Sequence, residues 1–150
     1  MIARGTLLCC QVFGRHMAKR VSGSTVNIAS RGALRPLTRV GACGAAKAAV
    51  ANLTQWLAVH LAREYSPRLH VNALAPGFFL TEQNRYLLTD PQTGAWTVRA
   101  EAILAHTPQG RFGTVEGLVG SLLWPASPAA AFDTGVVVPM DGGFAADSGV

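Results

Sequence analysis

The chain has 150 residues, 49% hydrophobic and 14% charged, with a formal net charge of +5. That balance favours one domain with a sizeable buried core and excludes a disordered chain. The densest cationic group is Arg15, Lys19 and Arg20, with no aromatic residues interleaved, so no nucleic-acid-binding surface is expected.

Residues 5–19 read as a helix, with Leu8, Val12 and Arg15 on one stripe and Leu7, Cys9 and Cys10 on the opposite turn. No Ser or Asp caps its start. Gly23 marks a turn, and residues 25–29 form a short β-rich run that ends at Ser30. A polar loop with Gly32 and Pro36 follows. A long helix over residues 40–64 carries Lys47 in its second turn. Ala45, Ala46, Ala48, Ala49 and Ala51 favour that helix, and Val50, Leu53, Leu57 and Leu61 continue an apolar stripe. Trp56 reads as packing, and Tyr65-Ser66-Pro67 stops the helix.

Residues 69–74 read as a second strand, closed by Ala75-Pro76-Gly77, where a proline cannot extend the ladder. Residues 78–97 read as a long loop or lid with a short helix near 82–88, expected to be mobile with its continuation to Gly110. Residues 98–105 read as helical and 107–113 as a connector. Thr114 caps a further helix that Pro125 stops, and residues 135–138 form a third strand before Asp141-Gly142-Gly143. Alternating strands and helices predict an α/β fold with right-handed crossovers and a parallel sheet.

Cys9, Cys10 and Cys43 are odd in number and form no CxxC pair, so they read as reduced thiols in a cytoplasmic protein. His16, His60, His70 and His106 have no metal-ligand spacing, and no metal is expected. No apolar run reaches the roughly 18 residues of a membrane span, and the opening apolar patch is too short for a signal peptide. Ser30 and Lys47 admit two readings: a strand terminator with a solvated helix charge, or a serine–lysine pair facing one crevice outside the carboxyl ends of the strands.

Four stretches in order resolve that choice. VNIAS ends at Ser30, GACGAAKAAV holds Lys47, VNALAPGFFLT follows the second strand, and TGVVVPMDGGF holds the third. Together they resemble the short-chain dehydrogenase/reductase family over essentially the whole chain. PGFFLTEQNRYLLTD and HTPQGRFG resemble a branch labelled D-mannonate oxidoreductase or fructuronate reductase. The resemblance implies the C-terminal portion of a Rossmann-like doubly wound parallel sheet. It implies NAD or NADP as cofactor and a sugar acid or related hydroxy or keto compound as substrate. It places the catalytic serine at Ser30 and the ribose-holding lysine at Lys47. Pro76, Gly77, Phe79 and Thr81 match the segment that contacts the nicotinamide half of the cofactor.

The sequence departs from the family pattern twice. The tyrosine four residues before the lysine is Cys43, whose sulfur falls roughly 3–4 Å short of a phenol oxygen, outside the 2.6–3.2 Å that proton transfer needs. Cys43 therefore reads as a small, partly buried filler. No Gly-rich turn for a pyrophosphate is present, and the catalytic asparagine position falls at Ile2 or earlier. Residues 1–150 are thus expected to be one truncated domain, impaired on its own, with the first strand's edge open to pairing. The expected partner besides the small-molecule substrate is a second copy, through the two long helices. The alternatives are a non-catalytic oligomerising subunit or relic, and a thiol enzyme using Cys43, which has no histidine near it in sequence.

Overall fold

β1 (Gly23–Ile28), β2 (Leu69–Pro76) and β3 (Val137–Met140) form one parallel sheet in that order, in a computed structural model that describes residues 1–148. The register runs from Gly23↔Leu69 to Ile28↔Leu74 and from Ala73↔Val137 to Pro76↔Met140. The parallel α/β expectation holds. β2 is central because it can be buried on both faces: Leu69, Val71, Ala73, Leu74 and Ala75 are all within 2% of full burial. Its one buried polar side chain, Asn72, is satisfied by the Asp133 carbonyl at 2.8 Å and the Val136 N–H at 3.2 Å.

Two long helices cover one face. α1 (Ile2–Arg20) and α3 (Gly41–Glu64) pack together over the cluster of Cys10, Leu57, Ala58, Leu61, Leu69 and Val71. In α3 the buried side chains Val50, Thr54, Leu57, Ala58 and Leu61 recur at helical spacing, each large apolar one contributing about 1.5–3 kcal/mol. In α1 the expected stripe is not the packed one. Leu8 and Val12 are about half exposed, while Cys10 and Gly14 are buried, because small side chains let the helix approach its neighbours closely. The opposite face carries α6 (Val119–Ala126), tied to β1 by a 2.6 Å hydrogen bond from the Ser24 hydroxyl to the Pro125 carbonyl.

Several boundaries differ from the sequence expectation. Residues 31–34 form a short helix, α2 (Arg31–Leu34), because Ser30 caps it. β2 runs on through Pro76, since the next ladder donor is the Gly77 N–H, which reaches the Met140 carbonyl at 2.9 Å. β3 starts two residues late: Gly135 turns the chain at φ 78 and the Val136 N–H is taken by Asn72. Thr114 makes no side-chain cap, a 3-10 turn (Val115–Leu118) precedes α6, and α6 contains Pro125 in its last turn. The segment from residue 78 is no bare loop. It holds α4 (Glu82–Leu88) and α5 (Val98–Ala105), joined by a turn whose flanks Thr89 and Trp96 form an antiparallel bridge. Leu88, Ala100, Ile103 and Phe112 pack there with Phe144 into a second core.

Candidate active site

The carboxyl ends of the three strands meet at one edge. The Ala29 N–H donates to the Leu74 carbonyl at 2.8 Å, which brings the next residue, Ser30, alongside the end of β2. Gly77 lies against Asp141, the residue after β3: a Cβ on Gly77 would sit 2.5 Å from the Asp141 Cβ. Only glycine permits that approach. Asp141 in turn accepts the Gly143 N–H at 3.1 Å and the Ala145 N–H at 2.9 Å, which fixes the turn after β3.

Ser30 has extended backbone (φ −165, ψ 154), and its hydroxyl accepts the Gly32 N–H at 3.1 Å. The hydroxyl keeps its own proton to donate. Lys47 reaches from α3 to the same place, its ammonium donating to the Ile28 carbonyl at 2.7 Å. Two further ammonium donors remain for a ligand. The start of α3 packs on α2, a Cβ on Gly44 lying 3.2 Å from the Gly32 carbonyl. Cys43, one turn before Lys47, is exposed, so the expectation of a partly buried filler is corrected. At the head of the helix nothing packs over it as a core would.

Pro76 and Gly77 stand at the strand edge as described. Phe79 forms a parallel bridge with Gly113, its ring so close that a Cβ on Gly113 would lie 2.4 Å from Cε1. Thr81 opens α4, its N–H accepted by the Asn84 side chain at 2.9 Å, and Asn84 also donates to the Phe79 carbonyl at 2.7 Å. A cavity of about 290 Å³ lies between Phe78, Phe79, Thr107, Arg111 and Asp141. Ser30, Lys47, Pro76 and Gly77 therefore gather at the sheet edge, while Phe79 lines the neighbouring cavity and Thr81 anchors the helix beyond it.

One group here escaped sequence reasoning. Arg31, directly after Ser30, is only 4% exposed, and its guanidinium carbon lies 3.8 Å over the Phe144 ring. Burial lowers its affinity for the proton, an effect that the Asp141 carboxylate opposes. Arg35 and Arg39 follow it closely, so nothing in the sequence marks Arg31 alone as buried. Among the described residues no three His, Cys, Asp or Glu side chains converge on a metal-sized site, and no helix is long and apolar enough to cross a membrane.

A family model described as enoyl-(acyl carrier protein) reductase matches residues 1–145. The chain belongs to the short-chain dehydrogenase/reductase family. It is 49% identical over 147 residues to an uncharacterized oxidoreductase of Bacillus subtilis (strain 168), covering 97% of this chain and 51% of that one. A Haemophilus influenza structure assigned as a D-mannonate oxidoreductase, with bound NAD, superposes with a TM-score of 0.88 at 46% identity over 97% of this chain and 51% of that one. A gluconate 5-dehydrogenase from Burkholderia cenocepacia J2315, in complex with NADP and tartrate, gives a TM-score of 0.81 at 33% identity over 95% of this chain and 52% of that one. The chain spans about half the length of the relatives it matches. Short-chain dehydrogenase relatives of this chain thus bind NAD or NADP, and the residues present fit one end of such a cofactor. Lys47 has donors to spare beside a strand edge, as a ribose diol requires, whereas among the described residues no strand is followed by a G-x-G-x-x-G or G-x-x-x-G-x-G turn of the kind that takes a pyrophosphate.

Proposed function

We propose that this chain carries the substrate-and-ribose end of an NAD(P)-dependent oxidoreductase acting on a sugar acid or its keto form. The observation that carries the reading is the Lys47–Ile28 hydrogen bond, which sets an ammonium two residues from Ser30 at the carboxyl edge of a parallel sheet. Ser30 would hold the substrate oxygen by its hydroxyl proton. Lys47 would hold the nicotinamide ribose and favour negative charge nearby. Pro76, Gly77, Phe79 and Thr81 would border the nicotinamide side, Phe79 from the cavity wall. NAD(P), when bound, supplies or accepts the hydride.

Cys43 would leave the proton-transfer position short-handed, because its sulfur cannot reach where a phenol oxygen would lie. Residues 1–150 would act as one domain whose cofactor grip is completed by the half that the relatives carry outside the matched span. A groove of about 680 Å³ between α1 and α3, lined by Leu7, Val12, Trp56, Leu57 and Tyr65, supports pairing of two copies through the long helices. With its thiols reduced, the protein would work in the cytoplasm.

The test is NADH and NADPH binding by the purified chain, followed by turnover on a panel of sugar-acid ketones and neutral ketoses. Weak cofactor binding that Lys47→Met abolishes, with little turnover, is expected. Cofactor binding unchanged by Lys47→Met would overturn the assignment.

A further inference from the structure

We infer that Arg31 receives the carboxylate of the substrate; this rests on the sugar-acid reading above and assigns the group that recognises the acid. Arg31 is 96% removed from solvent, yet its Nε and Nη1 atoms are buried and have no hydrogen-bond acceptor. Its guanidinium face is satisfied by the Phe144 ring, with the carbon 3.8 Å from the ring centroid. A guanidinium lying on a ring keeps all its N–H donors in its own plane, pointing out around the rim. The Asp141 carboxylate attracts it, yet its oxygens accept the Gly143 and Ala145 N–H groups and neither is the acceptor of Arg31 Nε or Nη1.

A cation buried without an acceptor is costly, and a residue kept only for packing would be replaced at no loss by an apolar side chain. The position therefore calls for an acceptor that arrives. A planar carboxylate suits a guanidinium best, because it takes two N–H donors at once. The location selects the same ligand: Arg31 is the residue after Ser30, at the strand edge where the reacting oxygen would be held. Phe78 and His106 pack against Phe144 with centroid separations of 5.3 and 4.6 Å. Phe78, which packs on Phe144, also lines the cavity of about 290 Å³, as does Asp141.

The test needs no nicotinamide. Thermal unfolding of the full chain is followed with D-gluconate, with D-mannonate and with uncharged D-glucitol, at one ionic strength. The wild type should be stabilised by at least one sugar acid and not by glucitol. Arg31→Met should lose that shift, and Arg31→Lys, which keeps the charge but not the planar fork, should bind the acid at least tenfold more weakly. Should Arg31→Met fail to fold, Arg31→Gln supplies the uncharged comparison. An equal shift in wild type and the uncharged variant, or no shift from either acid beyond that of glucitol, overturns the assignment. A sugar-acid shift unchanged in Arg31→Met, together with cofactor binding that Lys47→Met abolishes, removes Arg31 and leaves the oxidoreductase reading standing. An Arg31-dependent shift without any cofactor binding does the reverse.

Discussion

The Lys47 ammonium donates a 2.7 Å hydrogen bond to the Ile28 carbonyl, tying the second turn of α3 to the last residue of β1. In a parallel strand the N–H and C=O of one residue point to the same side. Gly23 and Ala29 donate toward β2, so Ile28 faces the other way, along the edge that pairs with no strand among the described residues. Lys47 thus covers a carbonyl at an open edge and stands two residues from Ser30. Lys47→Met should lower the unfolding free energy by about 1 kcal/mol, the net worth of one such bond. Urea denaturation measures it. An unchanged midpoint would mean that the carbonyl is satisfied equally well by water.

Gly77 sets how closely β2 and the turn after β3 can approach. A Cβ there would lie 2.5 Å from the Asp141 Cβ and 2.8 Å from its Cα, and backbone cannot swing aside as a side-chain tip does. Gly77→Ala should destabilise the fold by about 2 kcal/mol, in the range of overpacked sites. Gly113→Ala meets only the Phe79 ring, which can rotate, and should cost less. The order of the two denaturation midpoints checks the argument.

Much of this architecture was legible because period and composition agree locally. The β-branched run before Ser30, the alanine-rich helix with Lys47, and the apolar strand before Pro76 each read correctly to within a few residues. What was not legible depends on contacts between distant residues. The packed face of α1 is chosen by the small residues Cys10 and Gly14 meeting α3, not by its most hydrophobic stripe. The segment after Gly77 reads as a lid in isolation, yet it folds because Phe144, far along the chain, completes its core. Arg31 escaped for the same reason: nothing in the run Ser-Arg-Gly tells that the arginine turns inward onto that same ring.

Cys10 is buried between α1 and β1, and burial is the main cause that pushes its thiol above the usual range. The thiol donates to the Asn27 side-chain oxygen at 3.5 Å, and the neighbouring Cys9 adds to the shift. Cys9 and Cys43 are exposed. A thiol reagent should therefore label two cysteines promptly in the native chain and the third only on unfolding. A raised folded value stabilises the fold below the unfolded thiol's pKa, and that contribution is lost as pH rises through the folded one. Cys10→Ala should flatten the alkaline limb of a stability–pH curve. Prompt labelling of all three thiols would show that α1 opens readily.

Cys43→Tyr tests whether the missing phenol alone limits the chemistry. The site is exposed and in the first turn of α3, so a ring there meets no packed core, and stability should change by no more than about 0.5 kcal/mol. Position 43 lies one helical turn before Lys47, so the phenol would rise on the same side of the helix as the ammonium, whose charge favours phenolate. The oxygen would extend roughly 3–4 Å beyond the present sulfur, toward the distance that proton transfer requires. By itself the substitution should not produce NAD(P)H turnover, because a ribose-holding lysine without a pyrophosphate site gives weak cofactor binding. Joined to the half that the relatives carry outside the matched span, Cys43→Tyr should turn over a sugar-acid ketone while the Cys43 form stays far slower. The readout is NAD(P)H absorbance with both forms side by side. Equal rates would show that Cys43 does not limit proton transfer. A folded, cofactor-binding tyrosine form that stays silent across sugar-acid and neutral ketones would remove Ser30 and Lys47 from the chemistry.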